Sequence, residues 1–172
     1  MGNILWYDRL PEKQEHYDGF ILTRHHAFSR FHLSGLTGAI AVLDERRLEN
    51  EITDDQRLGL LAELLFYGRF KSEYCLTPTL DCGDHKDFVG MINGSVVGID
   101  VTTNVSNKID LGVADQVCCG LHYVACVNRT YVLSSDRKSL SESDQSVIFY
   151  KVKSVGLEES FRRCMGWDDI LM

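Results

Sequence analysis

Apolar side chains in the first half of the chain recur at helical spacing. Between residues 20 and 48 they return every three or four positions, which predicts helical structure there. A second helix is predicted to begin after Thr53, because Thr53 and Gln56 have the spacing of a capping box and two aspartates follow the cap. Its apolar face extends as far as Phe70 and contains Leu58, Leu61, Leu64 and Leu65.

Beyond residue 81 the pattern changes to short apolar runs that are typical of strands. Runs at 88–92 and 95–101 flank Asn93–Gly94, which predicts a hairpin, because a type I′ turn needs positive φ at both central residues. Further strands are predicted at 121–127, 130–134 and 147–155, and a closing helix at 157–165. This order predicts an α/β fold with a central mixed β-sheet flanked by helices.

Length and composition narrow the classes of protein that need to be considered. A chain of 172 residues suits one domain, with residues 1–50 as a helical N-terminal region and 53–165 as the core. Apolar residues make up 44%, which excludes a wholly disordered chain, and no apolar run approaches the ~20 residues that span a bilayer. We therefore expect no membrane association. The lack of an apolar leader and six cysteines interpreted as reduced thiols indicate a cytoplasmic protein.

The predicted hairpin brings two aspartates together. With Asn93 and Gly94 as the loop, paired residues have numbers that sum to 187, so Asp87 lies opposite Asp100 with Cβ atoms ~5 Å apart. Like charges in this position destabilise a hairpin, and a bound divalent cation or a proton on one carboxyl would compensate. The alternative is that both side chains point into water. Because Asp100 lies inside an apolar strand, it calls for a partner, which favours metal binding.

Glu63 is a third acidic residue of interest. It is the only carboxylate between residues 56 and 72, and leucines surround it. On a helical wheel it lies beside Tyr67 and Phe70, away from the leucine stripe. A plain solvent-facing glutamate and a site residue are therefore both open interpretations.

The segment that runs from Asp87 through the hairpin to Thr102 resembles the core motif of the PD-(D/E)XK nuclease superfamily, which includes many type II restriction enzymes and Holliday-junction resolvases. The motif is an acid that opens one strand, a hairpin, and an acid-x-Lys triplet in the next strand, often with a glutamate on the preceding helix. The resemblance covers roughly residues 53–133. It implies a restriction-endonuclease-like core and an Mg²⁺- or Mn²⁺-dependent nuclease. The metal ligands would be Asp87, Asp100 and the carbonyl of Val101, with Glu63 assisting through water.

The motif departs from the superfamily pattern at the lysine, because Thr102 occupies that position. Members of the superfamily are known to place the lysine elsewhere, and Lys108 is the nearest candidate to act on the nucleophile. The alternative for Lys108 is a solvated surface lysine. Asp84 competes with Asp87 for the first acid, and the strand register favours Asp87. A nuclease-like module that has lost catalysis and binds nucleic acid or a protein is the main alternative function.

Basic residues on the first two predicted helices are candidates for binding nucleic acid, with DNA favoured over RNA. They are Arg24, His25, His26, Arg30 and Lys71. Ordinary surface charges, and core positions for the histidines, are the alternatives. The net charge of −7 disfavours a broad nucleic-acid-binding surface, although a local basic patch would suffice. Because duplex cutting usually requires two active sites, a homodimer is compatible with this hypothesis.

A structural zinc site is the competing metal hypothesis. Cys82-x-x-His85 and Cys119-x-x-His122 each have the spacing of zinc ligands and together could form a Cys₂His₂ site in a small zinc-stabilised binding protein. The 33 residues between His85 and Cys119 exceed the separation in common zinc fingers. Buried free thiols account for the cysteines more simply.

Overall fold

Two long helices form the first half of the fold. The computed structural model describes residues 11–79, 86–108, 121–134 and 139–166, with side chains from residue 18 onward except at residue 107. Helix α1 spans Pro11–Leu48 and changes direction at Gly35, and helix α2 spans Asp54–Phe70. The capping box predicted at Thr53 is confirmed, since Thr53 and Gln56 each accept the other's backbone N–H. No helix within the described residues is both long and apolar enough to cross a bilayer.

The described residues form one six-stranded sheet whose strand order follows the chain. The strands are β1 Thr77–Pro78, β2 Phe88–Ile92, β3 Ser95–Thr102, β4 His122–Val127, β5 Ser146–Val152 and β6 Leu157–Cys164. Neighbouring strands are antiparallel except β3 and β4, which run parallel. The predicted fold class is therefore confirmed as far as a mixed sheet with helices.

The hairpin between β2 and β3 has the predicted turn and register. Asn93 and Gly94 have φ values of 52° and 80°, as a type I′ turn requires. Phe88 pairs with Ile99 and Ile92 pairs with Ser95, so paired numbers sum to 187. Because this pairing fixes the register, Asp87, the residue before β2, lies opposite Asp100.

The strand predicted at 130–134 is wrong. This segment forms a short helix, α3, over Arg129–Leu133. The side chain of Asn128 accepts the N–H of Thr130 at 2.8 Å and so starts a helical turn, while Tyr131 is fully buried. The cap and the burial of Tyr131 outweigh the preference of β-branched residues for a strand.

The closing helix predicted at 157–165 is also wrong, because β6 occupies this segment. Gly156 has φ of 75° in the turn after β5, and Lys153 pairs with Glu158 across that turn at 2.8 Å. Phe161 stacks on Phe149 of β5 with ring centroids 4.4 Å apart. This cross-strand contact favours extended pairing over a solvent-exposed helix.

An aromatic cluster joins the helices to the sheet. Phe66 and Tyr67 of α2 contact Phe88 of β2 with ring centroids 5.9 Å and 5.7 Å apart, and Phe28 of α1 contacts the same ring at 5.8 Å. Phe66 also contacts Phe149 of β5. Because α1, α2 and the sheet share one apolar core, side chains from all three layers can meet at one edge of the sheet.

Two helical glycines provide a matched test of the kink in α1. Gly35 has φ of 73° and ψ of −167°, a conformation that essentially only glycine adopts, so Gly35→Ala should destabilise the fold by about 1–3 kcal/mol. Gly59 lies in regular helix with open space around a new Cβ, so Gly59→Ala should stabilise by about 0.5–1 kcal/mol. Urea unfolding of both variants measures the two signs. Equal changes in the free energy of unfolding for the two variants would contradict a kink at Gly35.

Candidate functional site

A cavity of about 550 Å³ opens where the C-terminal end of β3 meets the N-terminal half of α2. Its wall includes four carboxyl side chains and two cationic ones, together with Val101. The carboxyl groups belong to Glu63, Asp87, Asp100 and the exposed Asp55, and the cations to Lys108 and Arg129. We call this the acidic cavity. It contains all four residues that the sequence predicts as catalytic.

Asp87 and Asp100 lie next to each other in the acidic cavity. Asp87 precedes β2, where its N–H donates to the carbonyl of Ile99 at 2.9 Å, and its Oδ2 accepts the N–H of Val101 at 2.7 Å. Asp100 lies inside β3, and its side chain is close enough to hydrogen-bond to the Asp87 carboxyl. The predicted proximity of the two acids is therefore present.

Lys108 reaches the acids from a turn that side chains of β3 and the following loop stabilise. The hydroxyl of Thr102 accepts the N–H of Asn104 at 3.1 Å, and the Asn104 side chain accepts the N–H of Ser106 at 3.2 Å. These bonds lead into a 3₁₀ turn over Val105–Lys108. The turn brings Lys108 Nζ to 3.0 Å from Oδ2 of Asp100. Lys108 is thus an ion-pair partner of a buried acid rather than a solvated surface lysine.

Glu63 pairs with an arginine from the first helix. Its side chain is 4% exposed, and its Oε1 lies 2.8 Å from Nε of Arg24, which is itself 6% exposed. The Arg24 guanidinium also donates to the carbonyls of Thr79 at 2.5 Å and Asp87 at 2.7 Å. Of the two open interpretations, the solvent-facing glutamate is wrong, because α2 turns Glu63 toward this buried cation.

Burial controls the protonation of the acids. It raises the pKa of Glu63, as does the charge of Asp87, and together they outweigh Arg24 and Lys108, so the pKa of Glu63 reaches about 8. Burial also raises the pKa of Asp100 well above its usual value, and Asp87 raises it further. Burial alone would lower the pKa of Lys108, but the charges of Asp100 and Asp87 raise it. Burial therefore favours the protonated forms of Glu63 and Asp100 in the metal-free cavity.

The residues predicted to bind nucleic acid divide into two groups. The structure corrects the prediction for Arg24. This side chain is buried and bonded to three acceptors, so it does not present its charge to a ligand on the surface. The other four, His25, His26, Arg30 and Lys71, are exposed, and none of them lines the acidic cavity. Lys71 follows Glu63 by eight residues of helix, about 12 Å along the axis. Their role in nucleic-acid binding remains a prediction.

Sequence reasoning missed Arg129. It is exposed, begins α3 and lines the acidic cavity opposite α2. It follows the parallel strand β4, whose pairing with β3 aligns the C-terminal ends of both strands. Had β3 and β4 been predicted as parallel neighbours, the position of Arg129 directly after β4 would have placed it near the acids at the end of β3.

The donors of the acidic cavity suit a small, hard cation. Mg²⁺ and Mn²⁺ prefer carboxylate and carbonyl oxygens, which Asp87, Asp100 and Val101 provide, and Mg²⁺ needs only one or two carboxylates because it keeps several waters. Across the described ranges, no group of three or more His, Cys, Asp or Glu side chains is arranged to hold a metal. The two aspartates are therefore the donor pair to test, and Glu63 is not grouped with them as a third ligand.

The predicted zinc ligands lie mostly outside the described residues. Cys82, His85 and Cys119 fall in ranges that the structure does not describe, and His122 is buried in β4. Among the described cysteines, Cys75, Cys126 and Cys164 are free thiols.

The raised pKa values predict how stability depends on pH in the metal-free protein. Glu63 has a reference pKa of 4.5 and a folded pKa of about 8, so the folded state keeps protons that the unfolded state has lost. The free energy of unfolding should therefore fall as pH rises between 4.5 and about 8, by up to about 1.4 kcal/mol per pH unit. Glu63→Gln should make the fall shallower. Denaturant unfolding in chelator at several pH values measures this.

Glu73→Gln is the control for this pH series. The pKa of Glu73 is lowered by its hydrogen bond with Arg163, so Glu73 titrates below the window and its replacement should leave the slope unchanged. A free energy of unfolding that rises with pH between 4.5 and about 8 would contradict the raised pKa of Glu63.

Comparison with known proteins identifies no relative of this chain. No protein-family model, no curated protein and no solved structure matches it.

Proposed function

We propose that this protein is a nuclease that hydrolyses phosphodiester bonds in DNA with the help of Mg²⁺ or Mn²⁺. The observation that carries the proposal is the adjacency of the Asp87 and Asp100 carboxyls in a cavity where Lys108 lies 3.0 Å from one of them. This combination of paired acids and a lysine supports phosphoryl chemistry. The same residues are those that the resemblance to PD-(D/E)XK nucleases implies.

Charge balance supports a divalent cation in the acidic cavity. Four carboxyl groups, those of Asp55, Glu63, Asp87 and Asp100, face three cations, Arg24, Lys108 and Arg129, so one negative charge is in excess when all four acids are ionised. One oxygen of each aspartate already has a partner, because Asp87 Oδ2 accepts a backbone N–H and Asp100 Oδ2 pairs with Lys108. The Oδ1 atoms are the donors to a cation. Such an ion would polarise a phosphoryl oxygen and ease deprotonation of the attacking water.

The chain's own residues would then orient and stabilise the reacting phosphate. Asp87 is fixed by the N–H of Val101, so its second oxygen keeps a defined direction. Lys108 is placed to stabilise the negative charge that grows on the phosphoryl oxygens, and its ion pair with Asp100 keeps it protonated. Arg129, at the exposed side of the cavity, would bind a neighbouring phosphate.

Neutral replacements of the acids test the proposal directly. Supercoiled plasmid and single-stranded circular DNA are incubated with the full chain and Mn²⁺ or Mg²⁺, with chelator as the blank. Asp87→Asn, Asp100→Asn and Lys108→Met should each lower the cleavage rate by about 10²-fold or more, because each removes a charge that acts on the transition state. Product quantification on gels measures the loss.

Matched controls come from exposed ion pairs elsewhere. Asp44→Asn disrupts the pair with Arg57, and Lys153→Met disrupts the pair with Glu158, so both variants should cleave at the wild-type rate. Wild-type cleavage by Asp100→Asn would overturn the metal assignment. Binding of DNA by the wild type with no metal-dependent cleavage of DNA or RNA would overturn the nuclease and establish a binding module in its place.

Arg129 allows substrate binding to be tested apart from chemistry. Arg129→Ala should raise KM for DNA by about tenfold while kcat changes little, because the arginine meets a phosphate remote from the reacting one. The slope of log affinity against log salt should decrease by about one. Arg162→Ala, on exposed β6, is the control and should change neither quantity. An unchanged salt slope in Arg129→Ala would remove this residue from the substrate path.

A further inference from the structure

Arg24 connects three separate parts of the fold beside the acidic cavity. It lies on α1 and bonds to Glu63 on α2, to the carbonyl of Thr79 after β1, and to the carbonyl of Asp87 before β2. These acceptors are 39, 55 and 63 residues away in sequence. A buried arginine with several acceptors is held in one position by its hydrogen bonds, and the same bonds hold the groups that it contacts.

The carbonyl of Asp87 is where these contacts converge. It accepts the N–H of Thr79 at 2.9 Å in addition to the Arg24 guanidinium at 2.7 Å, while the hydroxyl of Thr79 donates to the neighbouring carbonyl of Lys86. Because β1 has only two residues, the sheet supplies few backbone bonds at this edge. Arg24 therefore adds a side-chain bond to the backbone bonds with Thr79 and Ile99 that hold the peptide carrying the Asp87 carboxylate.

The aromatic core fixes the guanidinium from a further direction. Its central carbon lies 5.0 Å from the ring centre of Phe28 and 6.0 Å from that of Phe88. A guanidinium is planar and can stack on rings while its N–H groups donate in several directions, whereas a lysine ammonium cannot reproduce both contacts. The site therefore requires arginine and not merely a positive charge.

We infer that Arg24 is a positioning residue for the metal-binding aspartate Asp87, and that Glu63 acts through Arg24 rather than as a metal ligand. This inference rests on the proposed function, since it assumes that Asp87 binds the cation. Glu63 Oε1 orients the guanidinium, the guanidinium holds the backbone of Asp87, and the Asp87 carboxylate is thereby aimed at the cation. Partners of this kind typically change metal affinity by about 10–100-fold.

Mn²⁺ affinity of the folded, full-length chain tests the inference without relying on cleavage. Electron paramagnetic resonance of free Mn²⁺ gives the dissociation constant for each variant, and circular dichroism confirms folding. Arg24→Lys keeps the charge and should weaken Mn²⁺ binding by about 10–100-fold. Arg57→Lys, in an exposed pair with Asp44, is the matched control and should bind as wild type.

Two Glu63 variants separate positioning from ligation and do not require any change at Arg24. Glu63→Ala removes the acceptor of the Arg24 N–H and should weaken Mn²⁺ binding by about 10–100-fold. Glu63→Gln keeps an oxygen acceptor for Arg24 and should recover most of that loss. If both variants weaken Mn²⁺ binding as much as Asp87→Asn does, then Glu63 is itself a ligand and the inference is overturned.

Failure of the inference and failure of the proposed function give different results. If Asp87→Asn weakens Mn²⁺ binding while Arg24→Lys does not, the positioning role alone is wrong. If neither variant changes Mn²⁺ binding, Asp87 is not a metal ligand and the proposed function fails first. Weaker Mn²⁺ binding by Arg24→Lys, together with recovered Mn²⁺ binding by Glu63→Gln, supports the series of contacts from Glu63 through Arg24 to Asp87.

Discussion

Three carboxyl groups lie together in one cavity, two of them buried and that of Asp87 half-buried, and the rest of the site depends on this constraint. Each buried charge is costly and the charges repel one another, as the raised pKa values of Glu63 and Asp100 reflect. Two cations offset part of this cost by pairing with the acids: Arg24 from α1 pairs with Glu63, and Lys108 from the turn after β3 pairs with Asp100. The two cations reduce the repulsion without removing it, and under the proposed function a divalent cation would balance the charge that remains when the acids are ionised.

The two-residue turn of the β2–β3 hairpin fixes where this charge is placed. Strand side chains alternate between faces, so a slip of one residue would move Asp100 to the other face of the sheet and away from Asp87. The positive φ values of Asn93 and Gly94 select the turn, and the turn selects the register. Residues more than five positions from the acids therefore decide whether the acids meet.

Local signals were readable from the sequence, and long-range ones were not. The Thr53 cap and the Asn93–Gly94 turn each depend on a few neighbouring residues, and both are confirmed. The helix expected where β6 lies was wrong because Phe161 finds its partner on another strand. Arg24 looked like a surface cation in a basic stretch, since its acceptors are all more than 38 residues away. Burial of a charge is decided by such distant partners.

The two edges of the sheet limit how copies of this protein could associate. Among the described residues, one edge is β1, only two residues long and ending in Pro78, which lacks a backbone donor. The other is β6, where Glu159 and Arg162 are exposed and pair with each other. Short, proline-containing and charged edges discourage the addition of a further strand. If two copies of this protein associate, contacts between helix or loop surfaces are therefore favoured over a sheet that continues from one copy to the next.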